Sequence, residues 1–281
     1  MLAFAISLAS ALSYGISDFL GGTQSRRLPV LAVLAVSQPV GLMLSLALLP
    51  VLGADPIPAE KFAIGAGAGM AAAAGLGTFY RAMAMGTISV VAPIAALGVM
   101  VPVAVGLARG EQPGEIQLAG LALTTLGVVT LSYEEADGQA PVARRSVILA
   151  VISGLAFGLF FTGLDLASEG AGSPGWAVVA VRVGGVAAIA VALLALRPPL
   201  GAIPGAIGVL IAIAAFDLAG NTLFAIASTQ GLLPVVAVGG SMYPAFTIAL
   251  AHTVLGERLS GPQRAGVALA LLGVALIAAG A

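Results

Sequence analysis

The feature that most restricts this chain is the length of its charge-free stretches. No Asp, Glu, Lys or Arg occurs in 28–54, 62–80, 82–108, 116–133, 146–164, 198–216, 218–256 or 265–281. A bilayer-spanning helix needs about 20 predominantly apolar residues, so nearly every stretch is long enough to cross. Stretch 218–256 is too long for one helix. Gln230-Gly231-Leu232-Leu233-Pro234 supplies its break, because Gly and Pro together mark a turn. Met85-Gly86-Thr87 separates a third span from a fourth, and shorter apolar runs cover 1–17 and both sides of Arg182. The pattern predicts ten helices: 3–21, 29–52, 62–85, 89–108, 114–132, 146–167, 174–196, 204–229, 233–254 and 262–280. The first apolar run has no basic stretch ahead of it and no clear cleavage pattern, so it is read as the first helix rather than a leader.

Composition agrees and excludes alternatives. Charged residues make up 8% of the chain, against roughly 25% in soluble domains, too few to cover a water-facing surface. Thirty-eight glycines favour close helix–helix approach in lipid, where van der Waals packing replaces the hydrophobic drive. The absence of cysteine rules out disulfides, thiol catalysis and thiolate metal sites, and the single His252 leaves no usual zinc set. No metal or cofactor is therefore expected. A net charge of −1 offers nothing to neutralise phosphates, which excludes a nucleic-acid partner. The expected partners are the lipid bilayer and a small-molecule substrate, and the expected state is a monomer.

The polar stretch Tyr133 to Ser146, with Glu134, Glu135, Asp137, Arg144 and Arg145, reads as a linker between two halves. The domain reading is a first repeat over 1–132, a linker over 133–145 and a second repeat over 146–281. The halves resemble each other at an offset of about 143 to 146 positions. Ser10-Ala11-Leu12-Ser13-Tyr14-Gly15 aligns with Ser153-Gly154-Leu155-Ala156-Phe157-Gly158. Gly86-Thr87-Ile88-Ser89-Val90-Val91-Ala92 aligns with Gly231-Leu232-Leu233-Pro234-Val235-Val236-Ala237. Gly110-Glu111 followed by Gly120 aligns with Gly256-Glu257 followed by Gly266. An odd number of helices per half forces the second half to insert upside down. The expected fold class is thus an all-α integral membrane protein of ten transmembrane helices in two inverted five-helix repeats. Inverted repeats typify secondary transporters, whose site lies at the repeat interface near the midplane.

Ala108-Arg109-Gly110-Glu111, Leu255-Gly256-Glu257-Arg258-Leu259, Phe79-Tyr80-Arg81-Ala82-Met83 and Arg182 together carry a family likeness. On these residues the chain resembles the EamA-type transporters of the drug/metabolite transporter superfamily, and is similar to the YddG-type amino-acid exporters. The resemblance spans essentially the whole chain. It implies a multi-pass carrier of a bacterial inner membrane that exports amino acids or other metabolites.

Intramembrane charges point to the site, since each costs at least ~2.5–3.5 kcal/mol on insertion scales. Arg182 lies roughly 12 Å deep in the seventh helix, and Asp217 about 18 Å from the same face in the eighth. Two readings stand side by side: the pair flanks a cavity and binds the carboxylate and ammonium of a zwitterion, or it is a structural ion pair. Asn221, one turn after Asp217 on the same helical face, favours a polar cavity lining. Gln38, at the repeat position of Arg182, with Tyr80 and Tyr243, completes the candidate substrate-binding set. Asp18 and Arg81, near the opposite face, are expected to form a gating or structural ion pair. Glu111 and Glu257 sit at helix ends, where capping is the expected role. Pro39, Pro93, Pro102 and Pro244 lie within spans and are expected to kink them.

Orientation divides two arguments. The termini and even-numbered connections hold Lys61 and Arg109, the odd-numbered ones eight arginines. The positive-inside rule then places both termini outside, whereas the family resemblance implies cytoplasmic termini; the charge count is preferred. The functional expectation is an amino-acid exporter working by alternating access around a central cavity, and not an enzyme. The alternative is a multidrug or organic-cation exporter, marked by an unpaired acid facing the cavity.

Overall fold

A chain immersed in lipid must satisfy its backbone N–H and C=O groups within itself, and among the described residues the apolar runs form helices. The computed structural model describes residues 1–52, 55–86, 88–131, 144–170, 174–197, 203–256 and 261–279. Most of the linker, Thr87 and Glu257-Arg258-Leu259 lie outside these residues.

In order, the helices are α1 (Leu2–Gln24), α2 (Val30–Leu52), α3 (Ala59–Met85), α4 (Ile88–Ala96), α5 (Met100–Ala108) and α6 (Glu115–Leu131). They continue as α7 (Arg144–Ser168), α8 (Gly175–Leu196), α9 (Ile207–Ser228), α10 (Leu233–Gly240), α11 (Tyr243–Leu255) and α12 (Gly261–Ala279). No strand occurs among the described residues. Eight segments are long and apolar enough to cross a membrane: 2–24, 30–52, 59–85, 91–108, 144–168, 175–196, 207–228 and 233–255. The remaining two segments expected to span, α6 and α12, pack on each other.

Two of the expected spans are not continuous helices. The fourth breaks at a 3₁₀ turn, Leu97–Val99, between α4 and α5. The ninth breaks at Ser241-Met242, between α10 and α11. Proline lacks an N–H and clashes with the preceding turn. Pro102, near the start of α5, stands four residues after Gly98 of the first break, and Pro244 opens the helix after the second. Pro39, by contrast, sits within an unbroken α2.

Glycine sets the helix crossings. A Cβ at Gly69 of α3 would lie 1.8 Å from the Val181 carbonyl oxygen of α8, and one at Gly184 would lie 1.8 Å from that of Ala66. Backbone thus meets backbone between α3 and α8, the close approach that small residues permit in membranes. The crossing of α7 with the broken fourth segment uses Gly98, Gly154 and Gly158 in the same way. Hydroxyls tie other helices together. Ser10 and Ser17 of α1 donate to the carbonyls of Gly220 and Ile213 of α9, at 2.8 and 3.1 Å. Large apolar side chains such as Met43, Leu46, Leu155, Leu159, Val191 and Leu194 point outward, where only lipid would match them.

Polar contacts gather at the two ends of the bundle. At one end the start of α3 meets the end of α7, through Lys61 and the Glu169 carbonyl, and the end of α5 joins them through Arg109. At the other, Ser146 of α7 donates to the Ala82 carbonyl of α3 at 2.9 Å, and Arg26 reaches the carbonyls of Met83 and Gly86.

Candidate functional site

Arg182 is brought to the centre by the α3–α8 crossing, two and three residues before Gly184 and Gly185. It is the largest fully buried side chain, 1% exposed. Its Nη1 contacts Asp217 Oδ2 at 2.5 Å. Gly41 of α2 makes room for the guanidinium, because a Cβ there would stand 3.2 Å from Nη1. The pair expected from the sequence is therefore a direct, buried contact between α8 and α9.

That contact uses only part of the arginine. Among the described residues, its buried Nε and Nη2 have no hydrogen-bond partner. A guanidinium offers five N–H donors in a planar fork suited to a carboxylate. Buried donors left unpaired each cost about 1–3 kcal/mol, so these ones call for an explanation.

The guanidinium lines a narrow cavity of about 30 Å³, shared with Asp18, Asp217, Asn221, Tyr14 and Gln38 on its polar side. Such a space holds a water or two, so binding a metabolite requires the surrounding helices to move. The apolar side includes Leu76, Val181, Phe157, Phe160 and Phe161. The last two rings lie 4.9 Å apart between centroids, tilted by 46°, and Tyr14 meets Phe161 edge-on at 5.8 Å.

Most of the predicted site residues converge here. Asn221 accepts a 2.6 Å hydrogen bond from the Tyr14 hydroxyl, and the ring of Tyr14 occupies the space that a side chain at Gly220 would need. Gln38 lines the cavity, and its Oε1 approaches Gly185. Tyr243, just past the break between α10 and α11, lines it too, with its hydroxyl 3.5 Å from the Ala92 carbonyl. Tyr80 does not line the cavity: it is buried behind it, and its ring fills the space beside Gly21 of α1.

Asp18 and Arg81 are not brought together. Asp18 is 6% exposed and faces the cavity, whereas Arg81 is exposed. Among the described residues Asp18 has no salt-bridge partner. The helical period explains this: Arg81 follows the buried Phe79 and Tyr80 of α3 but projects from the opposite side of the helix.

A second polar cluster, of which the sequence singled out only Arg109 and Glu111, lies at the end of the bundle that holds Lys61. Arg109 contacts Asp165 at 3.1 Å and Glu169 at 2.8 Å, and Glu111 accepts the Leu233 N–H at 2.7 Å. Glu111 thus caps the N-terminus of α10, whose first N–H groups have no partner within the helix. These residues line a pocket of about 340 Å³ with Ser228 and Thr229. The sequence signal was present but weak: Asp165 and Glu169 are one turn apart at a helix end, opposite the arginine of the Arg-Gly-Glu motif. No group of His, Asp or Glu that could hold a metal ion occurs among the described residues.

Residues 144–279, just under half of the chain, match the EamA-like transporter family. No curated protein matches the sequence. A solved crystal structure superposes with a TM-score of 0.75, covering 98% of this chain and 95% of that one at 18% identity. At that identity the likeness speaks to fold alone.

Proposed function

We propose that the chain is a secondary transporter that exports small metabolites, amino acids with apolar side chains foremost, across a bacterial inner membrane. The observation that carries this reading is a buried guanidinium with free donors at a cavity deep among membrane-length helices. The family match over the second half supports transport, and transport rather than catalysis suits a site with neither a nucleophile constellation nor a metal set among the described residues. The phenyl groups of α7 suit an apolar side chain, the free edge of Arg182 a carboxylate.

The inverted repeat is supported by the pattern of packing. α1 packs on α9 as α7 packs on α3, and α1 meets α10 and α11 as α7 meets α4 and α5. Exchanging the halves maps each of these contacts onto the other. The fourth and ninth segments are the broken ones: Tyr243 of α11 lines the site, and its hydroxyl reaches back to the Ala92 carbonyl of α4. Broken helices at a repeat interface are the recurring framework of alternating access, and here they supply joints at which the cavity can widen.

The test is counterflow of radiolabelled leucine in proteoliposomes, for the intact protein and for Arg182→Ala and Asp217→Ala shown by gel filtration to be folded. The intact protein should exchange leucine and both variants should lose the activity. Undiminished exchange in the folded variants would make the pair structural and move the site elsewhere.

A further inference from the structure

Resting on that reading, we infer that Asp18 is a specificity-determining residue that receives the substrate's ammonium group, so that the cavity selects zwitterions through two separate charges. The charges at the cavity do not cancel. Arg182 and Asp217 satisfy each other, which leaves Asp18 as a second carboxylate with no cation opposite it. A buried carboxylate without a counter-ion is unfavourable, and none stands opposite Asp18 among the described residues. Lys61 and Arg109 lie at one end of the bundle, and Arg81 is turned outward.

The placement of Asp18 is built in. Ser17, its neighbour on α1, is tied to the Ile213 carbonyl of α9, and Tyr14, one turn before it, is tied to Asn221. Asp217 lies between Ile213 and Asn221 on α9, so the two hydrogen bonds hold α1 and α9 in register with Asp18 facing the space beside Asp217. The missing complements are then of opposite sign: a carboxylate for Nε and Nη2 of Arg182, an ammonium for Asp18. An α-amino acid carries both on one carbon. Asp217 becomes a positioning residue that orients the guanidinium, and the acid that recognises the amine comes from α1.

Ligands that carry one charge each separate these roles. Leucine, 4-methylpentanoate (no amine) and 3-methylbutylamine (no carboxylate) share one side chain. Each would be measured by its power to inhibit leucine counterflow and to raise the thermal midpoint of the purified protein. The intact protein should prefer leucine to either analogue by at least tenfold. In Asp18→Asn the amine should lose its effect while the acid keeps or improves it, and Arg182→Gln should show the reverse. Asp18→Glu, which keeps the charge, should retain the preference for leucine and serves as the folding control. An Asp18→Asn protein that ranks the three ligands as the intact protein does would overturn the assignment. If the intact protein responds to no leucine in either measurement, the amino-acid reading fails first and this inference fails with it.

Discussion

Gly184 offers a sharp test of how the site is positioned. Replacing it with alanine puts a methyl group 1.8 Å from the Ala66 carbonyl oxygen and 2.6 Å from its carbon, where real Cβ atoms come no nearer than about 3.0 Å. The obstacle is backbone on both sides, so no side chain can rotate away. α3 and α8 must part by about an ångström or more, and Arg182, two residues along α8, moves with the helix. Overpacking of this kind typically costs ~1–3 kcal/mol. The expected result is a midpoint several degrees lower in detergent, with leucine counterflow reduced more than the loss of folded protein explains. Gly67→Ala is the internal control, because it sits on the same α3 with nothing within 4 Å. Alanine is the better helix former by roughly 0.5–1 kcal/mol, so that variant should be at least as stable as the parent. The reasoning is refuted if Gly184→Ala melts and transports normally, or if Gly67→Ala falls equally far.

Three other expectations follow from the same contacts. Arg182→Met alone strands a buried Asp217 and should destabilise by about 3–5 kcal/mol, whereas adding Asp217→Leu should restore the midpoint, since apolar replacement of a buried pair is often neutral; leucine counterflow should be lost in both. Tyr14→Phe removes the donor to Asn221 and should lower stability by ~1–3 kcal/mol, an effect that disappears when Asn221→Ala is already present in a double-mutant cycle. Arg109→Gln should change stability by less than ~1 kcal/mol, because Arg109 is one-third exposed and screened by water. It should nevertheless speed the reaction of a membrane-impermeant maleimide with Ser228→Cys, by loosening the Arg109–Asp165–Glu169 cluster at that mouth.

The helices were legible because the bilayer imposes a length and forbids charge, and both constraints are written residue by residue. The ends of α3 at Met85 and of α9 at Ser228 fall beside Gly86 and the turn from Gly231 to Pro234, which the sequence marks. The breaks inside the fourth and ninth segments were less legible, since Pro39 and Pro102 look alike in sequence and only Pro102 follows a broken turn. Arg182 and Asp217 could be paired in advance because consecutive antiparallel helices bring similar depths together. Asp18 could not be assigned, because depth says nothing about rotation about the helix axis: it shares a depth with Arg81 but faces the centre with Asp217. Tyr14 was visible only as a tyrosine in an apolar helix; its bond to Asn221 depends on the α1–α9 contact at Gly220, which brings together residues about 200 positions apart.

The central claim is that one cavity opens in turn to the two sides of the membrane, and the chain's lack of cysteine makes this directly measurable. A single Leu76→Cys puts a thiol on the cavity wall, and its reaction with an impermeant maleimide can be followed in right-side-out and inside-out vesicles. Alternating access predicts labelling from both sides, with leucine changing the two rates in opposite directions. Labelling from one side only, at a rate indifferent to substrate, would contradict it.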